Sequence, residues 1–180
     1  MVFKAFGVRV KIEFSFLLML AFSLVAENEA LFYLLLFSAL HEAGHLCCLL
    51  LFGKNPDCLT VAFYGIGLKH SARLRLWQEL VFLLGGIAVN AFFIALNVQK
   101  EINLALFLIN ALPLYPLDGG RIIKLVLNRL FALSISDAVF KAISAVLIAV
   151  LVALSIIYKN ISLALISAYI IVYSLNNSFD

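Results

Sequence analysis

The chain has 180 residues, of which 65% are hydrophobic and 13% charged, and its mean hydropathy is +1.12. Soluble domains carry about a quarter charged residues, so this composition excludes an ordinary soluble fold and indicates an integral membrane protein. At about 20 residues per span, the length allows about six transmembrane helices. The net charge of +3 comes from dispersed basic residues without a basic and aromatic cluster, which argues against nucleic-acid binding.

The N-terminal segment predicts a short first span over residues 12–26, preceded by Lys4, Arg9 and Lys11. This order of basic and then apolar residues is also typical of a signal peptide. The small-residue pattern of a cleavage site is weak here, and we interpret the segment as an uncleaved helix. A turn at residues 27–29 leads to the second span.

The second span, residues 30–52, ends at a Gly-Lys-Asn-Pro stop signal and carries His-Glu-Ala-Gly-His (HEAGH) at residues 41–45. On an α-helix His41 and His45 lie on one face, so both imidazoles reach one metal ion. This is the HExxH arrangement of zinc sites, and Glu42 lies close enough to act as the general base. An ionisable group at mid-membrane depth costs about 3 kcal/mol and is normally there for function.

The segment after the second span is too short and too mixed in polarity to cross a bilayer. Its residues 58–68 predict two short β-strands with a glycine turn, and their apolar character favours a hairpin that dips toward the membrane beside the metal site. A plain surface hairpin is the alternative. A basic patch follows, in which we interpret the histidine as a surface residue, and it comprises Lys69, His70, Arg73 and Arg75.

The third span, residues 76–96, contains Gly85, Gly86 and Asn90. Small residues in a membrane helix permit close helix packing, and this explains the glycine pair as well as a catalytic role does. We interpret Asn90 as a residue that hydrogen-bonds across the helix bundle. A turn at residues 97–101 follows.

The fourth span begins near residue 102 and is broken at residues 110–121, where two prolines and two glycines interrupt the helix. Non-helical backbone at membrane depth is tolerated only where it is buried in protein or lines a wet cavity. Asp118 lies in this segment and is the natural third metal ligand, because two histidines and one carboxylate form an open catalytic zinc site. In the alternative interpretation, Asp118 caps the helix that follows.

Two further spans, residues 138–158 and 161–175, are predicted to be scaffold that faces lipid. The three cysteines, Cys47, Cys48 and Cys58, do not have the spacing of a disulfide framework. Cys48 follows His45 by one helical turn, and we interpret it as small buried filler rather than as a metal ligand.

The distribution of basic residues predicts the orientation in the cell membrane. Eleven of the thirteen Lys and Arg residues lie in residues 1–11, 54–75 and 121–141, whereas Lys100 and Lys159 fall in the opposite loops. By the positive-inside rule, this multi-pass protein has both termini in the cytoplasm.

HEAGH, together with the pattern N-x-x-P-x-x-P-L-D-G-G that starts at Asn110, resembles the site-2 protease family of intramembrane zinc metalloproteases (peptidase family M50). The resemblance covers about residues 12–130, and the six-span layout is similar to the bacterial stage IV sporulation proteases. The site residues it implies are His41, His45 and Asp118 for binding Zn²⁺, Glu42 as the catalytic acid/base, and Asn110 for positioning the substrate or the oxyanion.

The implied fold is an all-α polytopic membrane protein with about six transmembrane helices, a short membrane-associated β-hairpin and a broken fourth helix. It forms one metalloprotease domain over residues 1–180, with a core at 12–130, accessory helices at about 138–175, and no PDZ or nucleotide-sensing domain. In the third span the family usually has G-P-x-x-N, whereas this chain has Gly-Ile-Ala-Val-Asn at residues 86–90, so that Ile87 replaces the proline.

The resemblance implies hydrolysis of peptide bonds in or near the transmembrane segments of client proteins, with regulatory membrane proteins as further partners. A substrate helix must unwind before its scissile carbonyl is exposed, and the hairpin and the loop at residues 113–116 would hold the extended strand.

Other classes of function remain open. A metal transporter or metal-sensing membrane protein would use the same ligands but has little need for Glu42. A membrane di-iron oxygenase needs many more than the three histidines present. A scaffold that binds clients without cutting them is compatible with the sequence.

Overall fold

The computed structural model describes residues 2–5, 8–62, 65–69, 71, 73–159, 167–168 and 171. The chain divides into two compact units, Met1–Leu108 and Ile109–Asp180. In the described part, the strands and helices in chain order are β1 (Val2–Ala5), β2 (Val8–Ile12), α1 (Phe14–Val25), α2 (Glu29–Leu51), β3 (Cys58–Ala62), β4 (Gly65–Lys69), α3 (Leu76–Ala95), α4 (Lys100–Ala111), α5 (Asp118–Leu130) and α6 (Leu133–Ile157).

A four-stranded sheet in the first unit has the order β1-β2-β3-β4. Strands β1 and β2 are antiparallel, β2 and β3 are parallel with Val10 opposite Leu59, and β3 and β4 are antiparallel with Val61 opposite Ile66. The two strands predicted at residues 58–68 correspond to β3 and β4, and the structure pairs them within a larger sheet.

The N-terminal strands of this sheet are a correction to the predicted all-α fold, in which this segment was only a basic flank of the first span. Strand β2 reads Val-Arg-Val-Lys-Ile, which alternates apolar and basic residues with the period of two that suits a half-exposed strand. A run of five residues is too short to stand out beside a long apolar helix. The membrane association of β3 and β4 stays a prediction.

Helix α2 begins and ends at local signals. The side-chain oxygen of Asn28 accepts a hydrogen bond from a backbone N–H of the first turn at 3.0 Å and caps the helix. At the other end Gly53 has a φ of +65°, a left-handed conformation that glycine adopts without steric cost. The N–H groups of Gly53 and Lys54 donate to the carbonyls of Leu50 and Leu49, which satisfies two carbonyls of the last turn.

Helices α2 and α3 approach each other closely through glycines. A Cβ atom at Gly44 would lie 2.5 Å from the carbonyl oxygen of Gly85, and one at Gly85 would lie 2.8 Å from the carbonyl oxygen of Gly44. The two backbones therefore pack directly against each other, as small residues permit in membrane helices. Phe37 of α2 and Phe93 of α3 add an edge-to-face contact with ring centroids 5.0 Å apart.

Among the described residues, three helices are long and apolar enough to cross a membrane, namely α2, α3 and α6. Helix α1 is a shorter apolar helix of 12 residues. Many large apolar side chains on these helices are exposed in the structure, a surface that lipid accommodates and water does not. The protein is thus an integral membrane protein.

The predicted span boundaries agree with the structure to different degrees. The spans predicted at residues 30–52 and 76–96 coincide with α2 and α3 to within one residue at each end. Helix α6 begins at Leu133, earlier than the predicted fifth span. The predicted sixth span, residues 161–175, lies almost entirely outside the described residues.

The helical path is interrupted near the start of the second unit. Helix α4 ends at Ala111 and α5 begins at Asp118, and residues 112–117 between them are not helical. A Cβ atom at Gly119 would collide with the backbone of Ala111 and Leu112, and one at Gly120 with the backbone of Leu114 and Tyr115. The interrupted segment therefore lies directly against the first turn of α5, and this close approach requires glycine at both positions.

Polar contacts connect α5 to α6 within the second unit. Lys124 forms an ion pair with Asp137. The buried hydroxyl of Ser136 donates to the side-chain oxygen of Asn128 at 2.6 Å. These contacts place the start of α6 beside α5.

Candidate metal centre

The two histidines of HEAGH lie on one face of α2, and each is only 3% exposed. Their Nε2 atoms are 3.2 Å apart and their ring planes are inclined at 83°. The spacing of four residues therefore brings both imidazoles to one point, as predicted. Glu42 is half-buried and completes the group, since one ligand atom from each of the three residues lies within 4.8 Å of the others.

The orientation of the His45 ring follows from its second nitrogen. The Nδ1 atom of His45 is 2.7 Å from the backbone carbonyl oxygen of Phe82 in α3. A carbonyl oxygen can only accept, so the Nδ1–H group of His45 donates. A neutral imidazole with its proton on Nδ1 has its lone pair on Nε2. This tautomer presents Nε2 to a metal ion.

The His41 ring is also held from α3. Its Nδ1 atom is 2.6 Å from the side-chain oxygen of Asn90, a residue with no exposed surface. The interpretation of Asn90 as a residue that hydrogen-bonds across the bundle is confirmed, and its partner is a predicted metal ligand. Contacts of this kind behind a histidine ligand fix the ring orientation.

The donor set and the space around it fit a zinc ion. Two nitrogens bound tetrahedrally to zinc at about 2.05 Å are about 3.3 Å apart, close to the 3.2 Å between the two Nε2 atoms. A Cβ atom at Gly86 would lie 2.5 Å from both Nε2 atoms, so glycine keeps the space beside them open.

The glycine pair of α3 therefore has two roles, which the sequence analysis left open. Gly85 allows the close approach of α2, and Gly86 leaves room at the imidazoles. Sequence reasoning missed two other participants. The carbonyl of Phe82 has no sequence signature, because every residue carries one, and Asn103 gave only the weak signal of an amide in a mostly apolar helix.

The remaining two predicted site residues belong to the second unit. Asp118 is buried, with 7% exposed, and is the first residue of α5, while Leu117 occupies the N-cap position. A carboxylate in the first turn interacts favourably with the helix dipole, and this is the local role open to Asp118 besides that of a metal ligand. Asn110 is half-buried at the end of α4. The roles of both residues in a metal site stay predictions.

Cys48 and His70 also carry side chains that can bind a metal ion. Among the described residues, HEAGH supplies the one group of three potential metal ligands, and Cys48 is not part of it. A Cβ atom at Gly85 would lie 2.7 Å from the sulfur of Cys48, so this cysteine fills the space against α3, as predicted. His70 lies outside the described residues.

Replacement of Gly86 by alanine tests the space beside the imidazoles. Because the new Cβ would lie 2.5 Å from both Nε2 atoms, we expect Gly86→Ala to weaken zinc binding by about 10- to 100-fold. The measurement is competition for zinc with a chromophoric chelator in detergent. Gly67→Ala is the control, since the nearest atom to its added Cβ is 4.0 Å away, and its zinc affinity should not change. Equal affinities in the two variants would contradict this arrangement.

Three comparisons with known proteins each give a match. The sequence profile of peptidase family M50 matches residues 88–154. A curated zinc metalloprotease of Methanocaldococcus jannaschii is 25% identical over 93% of this chain, and the chain spans 57% of the length of that relative. The solved site-2 protease from the same organism matches with a TM-score of 0.63 and 22% identity, over 93% of this chain and 89% of that one.

The fold and the site together define an integral membrane protein with an HExxH-type metal centre at the interface of two helices. The structural match establishes that its fold is the fold of the site-2 protease, including helices and strands outside the segment that the profile covers. The chain is thus similar to peptidase family M50 over residues 88–154 and to site-2 proteases in its fold.

Proposed function

We propose that this protein is an intramembrane zinc metalloprotease that hydrolyses peptide bonds in or near the transmembrane segments of client proteins. The observation that carries the proposal is the buried pair of imidazoles with Nε2 atoms 3.2 Å apart and the Glu42 carboxylate in the same group. When bound, zinc supplies Lewis-acid polarisation of the scissile carbonyl and makes water more acidic. A metal transporter has little need for a proton acceptor beside the first histidine.

Each residue of the proposed site has one role. His41 and His45 bind zinc, and Asp118 is the third ligand, a role supported by its burial and by the rigid glycine contacts that hold the start of α5. Glu42 accepts a proton from the attacking water and donates it to the leaving amine. Asn110 hydrogen-bonds the substrate or the oxyanion that develops on the scissile carbonyl.

Strand β4 is the proposed docking site for the substrate backbone. It lies at one edge of the sheet and packs against α2, the helix that carries HEAGH. An edge strand offers backbone donors and acceptors to an extended peptide. A membrane helix has its carbonyls bonded internally, so pairing with β4 would stabilise the unwound form of a client segment and expose the bond to be cut.

We also propose the finer topology. The chain would cross a cell membrane about six times as one metalloprotease domain, with the shorter helices and residues 161–175 added to α2, α3 and α6. The concentration of Lys and Arg in alternate connections favours both termini in the cytoplasm. The compact layout favours similarity to the stage IV sporulation proteases, with a membrane protein substrate and regulatory membrane proteins as partners.

Zinc stoichiometry and cleavage test the proposal together. The purified full chain should hold about one zinc ion, and His41→Ala or His45→Ala should each release it because two ligands do not retain the ion. Elemental analysis after desalting is the measurement. The third histidine supplies the matched control, since His70→Ala should keep the metal.

Cleavage is then assayed with the zinc-loaded chain in detergent micelles and a single-span membrane protein as substrate. We expect cut products that disappear with a zinc chelator and return when zinc is restored. Zinc bound through the two histidines without any cleavage of a panel of membrane-spanning substrates would favour the transporter or scaffold alternatives and would refute the protease proposal.

A further inference from the structure

A chain of buried amides runs from the His41 ring to the turn between α3 and α4. The side-chain oxygen of Asn90 lies 2.6 Å from the Nδ1 atom of His41, and the Nδ2 atom of Asn90 lies 3.0 Å from the side-chain oxygen of Asn103. The Nδ2 atom of Asn103 lies 3.0 Å from the carbonyl oxygen of Val98 and 3.3 Å from that of Gln99. Neither asparagine has any exposed surface.

The polarity of this chain is determined at its far end. The carbonyl oxygens of Val98 and Gln99 can only accept, so the side-chain atom of Asn103 that faces them is its NH₂ group. The oxygen of Asn103 then faces Asn90 and accepts from its NH₂ group. The oxygen of Asn90 in turn faces His41 and accepts, so the Nδ1 atom of His41 carries the proton.

Reversal of either amide is costly in this environment. If the amide of Asn90 rotated by 180°, its oxygen would face the oxygen of Asn103, and two buried acceptors would lose their donors. Its NH₂ group would then face Nδ1 of His41 and favour the tautomer with a proton on Nε2. That tautomer has no lone pair on Nε2 for a metal ion.

We infer that Asn90 and Asn103 are positioning residues that hold His41 in the metal-binding tautomer, with Asn103 acting through Asn90. Asn103 does not touch the two imidazoles, and its effect is transmitted by the forced polarity of the two hydrogen bonds that link it through Asn90 to His41. The carbonyls of the α3–α4 turn therefore determine the proton position on a metal ligand. This inference rests on the proposed function, because it concerns zinc binding by His41.

The test compares zinc affinity in wild type, Asn90→Leu, Asn103→Leu and the double variant, with the full chain in detergent. We expect each single variant to weaken zinc binding by about 10- to 100-fold, the usual effect of losing a partner behind a histidine ligand. The double variant should be no weaker than Asn90→Leu alone, because both changes break the same chain. Asn90→Asp keeps an acceptor for Nδ1–H and should bind zinc more tightly than Asn90→Leu.

A second measurement reads the tautomer directly. Nitrogen NMR of the zinc-free protein, with His41 assigned from the His41→Ala variant, should show the proton on Nδ1 in wild type and a shift toward Nε2 in Asn103→Leu. Ser136→Ala is the control, because it removes a buried hydrogen bond in the second unit and should leave both readouts unchanged.

The outcomes separate this inference from the proposed function. If the wild-type chain binds no zinc, the proposed function fails. If wild type binds zinc and a folded Asn103→Leu variant keeps both its affinity and its His41 tautomer, the amide chain has no positioning role. Additive losses in the double variant, or equal losses in Asn90→Asp and Asn90→Leu, would show that the asparagines contribute only to packing.

Discussion

Glu42→Gln should lower the rate of peptide cleavage by about 10²–10⁴-fold while zinc stays bound. The amide has nearly the same shape as the carboxylate but cannot accept a proton from water at neutral pH. The proposed zinc ligands His41 and His45 are unchanged, and Glu42 is positioned next to them by the same helix. Single-turnover cleavage of a membrane-spanning substrate measures the rate, and elemental analysis of the same sample measures the metal.

Glu79→Gln is the matched control for this experiment. Glu79 is also a half-buried glutamate in a helix of the first unit, in the first turn of α3, and its replacement should leave both cleavage and zinc content at the wild-type level. Cleavage at a normal rate in Glu42→Gln would refute the assignment of Glu42 as general base. It would require another proton acceptor at the site.

Asp118→Asn should release most of the zinc and reduce cleavage below detection, because an amide oxygen is a much poorer zinc ligand than a carboxylate. If Asp118 only stabilises the start of α5, the same substitution should leave zinc content and cleavage unchanged. In the first turn of α5 the negative charge of Asp118 interacts with the helix dipole, and loss of that interaction costs only about 0.3–1 kcal/mol of stability. Zinc content, cleavage rate and thermal unfolding of the variant distinguish the two roles.

Asp137→Asn controls for the loss of an aspartate in the same unit. Asp137 pairs with Lys124 between α5 and α6, so its replacement should affect stability and leave zinc content unchanged. If Asp118→Asn keeps a full zinc complement and normal cleavage, the third ligand is a different residue.

Some elements of this protein follow from local sequence and were predicted closely. The long apolar runs and their polar boundaries predicted α2 and α3 to within one residue at each end. Strand β2 was not predicted, because its pairing with β3 joins segments that are far apart in the chain, with Val10 opposite Leu59. An alternating pattern of five residues becomes a strand only where a partner edge is available.

The glycines of α3 show the same limit within one helix. Composition indicated that Gly85 and Gly86 serve either close packing or the site, and no local rule assigns the two roles. The helix rotates by about 100° per residue, so adjacent glycines face different neighbours. Only the packed structure shows that Gly85 meets the backbone of α2 and that Gly86 meets the imidazoles.

The sequence by itself determined that His41, Glu42 and His45 lie together, because residues one to four positions apart on a helix have a fixed relative geometry that needs no partner. Only the tertiary structure decided how the two imidazoles are held. Nδ1 of His41 contacts Asn90, 49 positions away in the chain, and Nδ1 of His45 contacts Phe82, 37 positions away. Both contacts exist only because α2 and α3 pack closely enough to exclude water. The position of each ring proton is therefore a property of the helix interface.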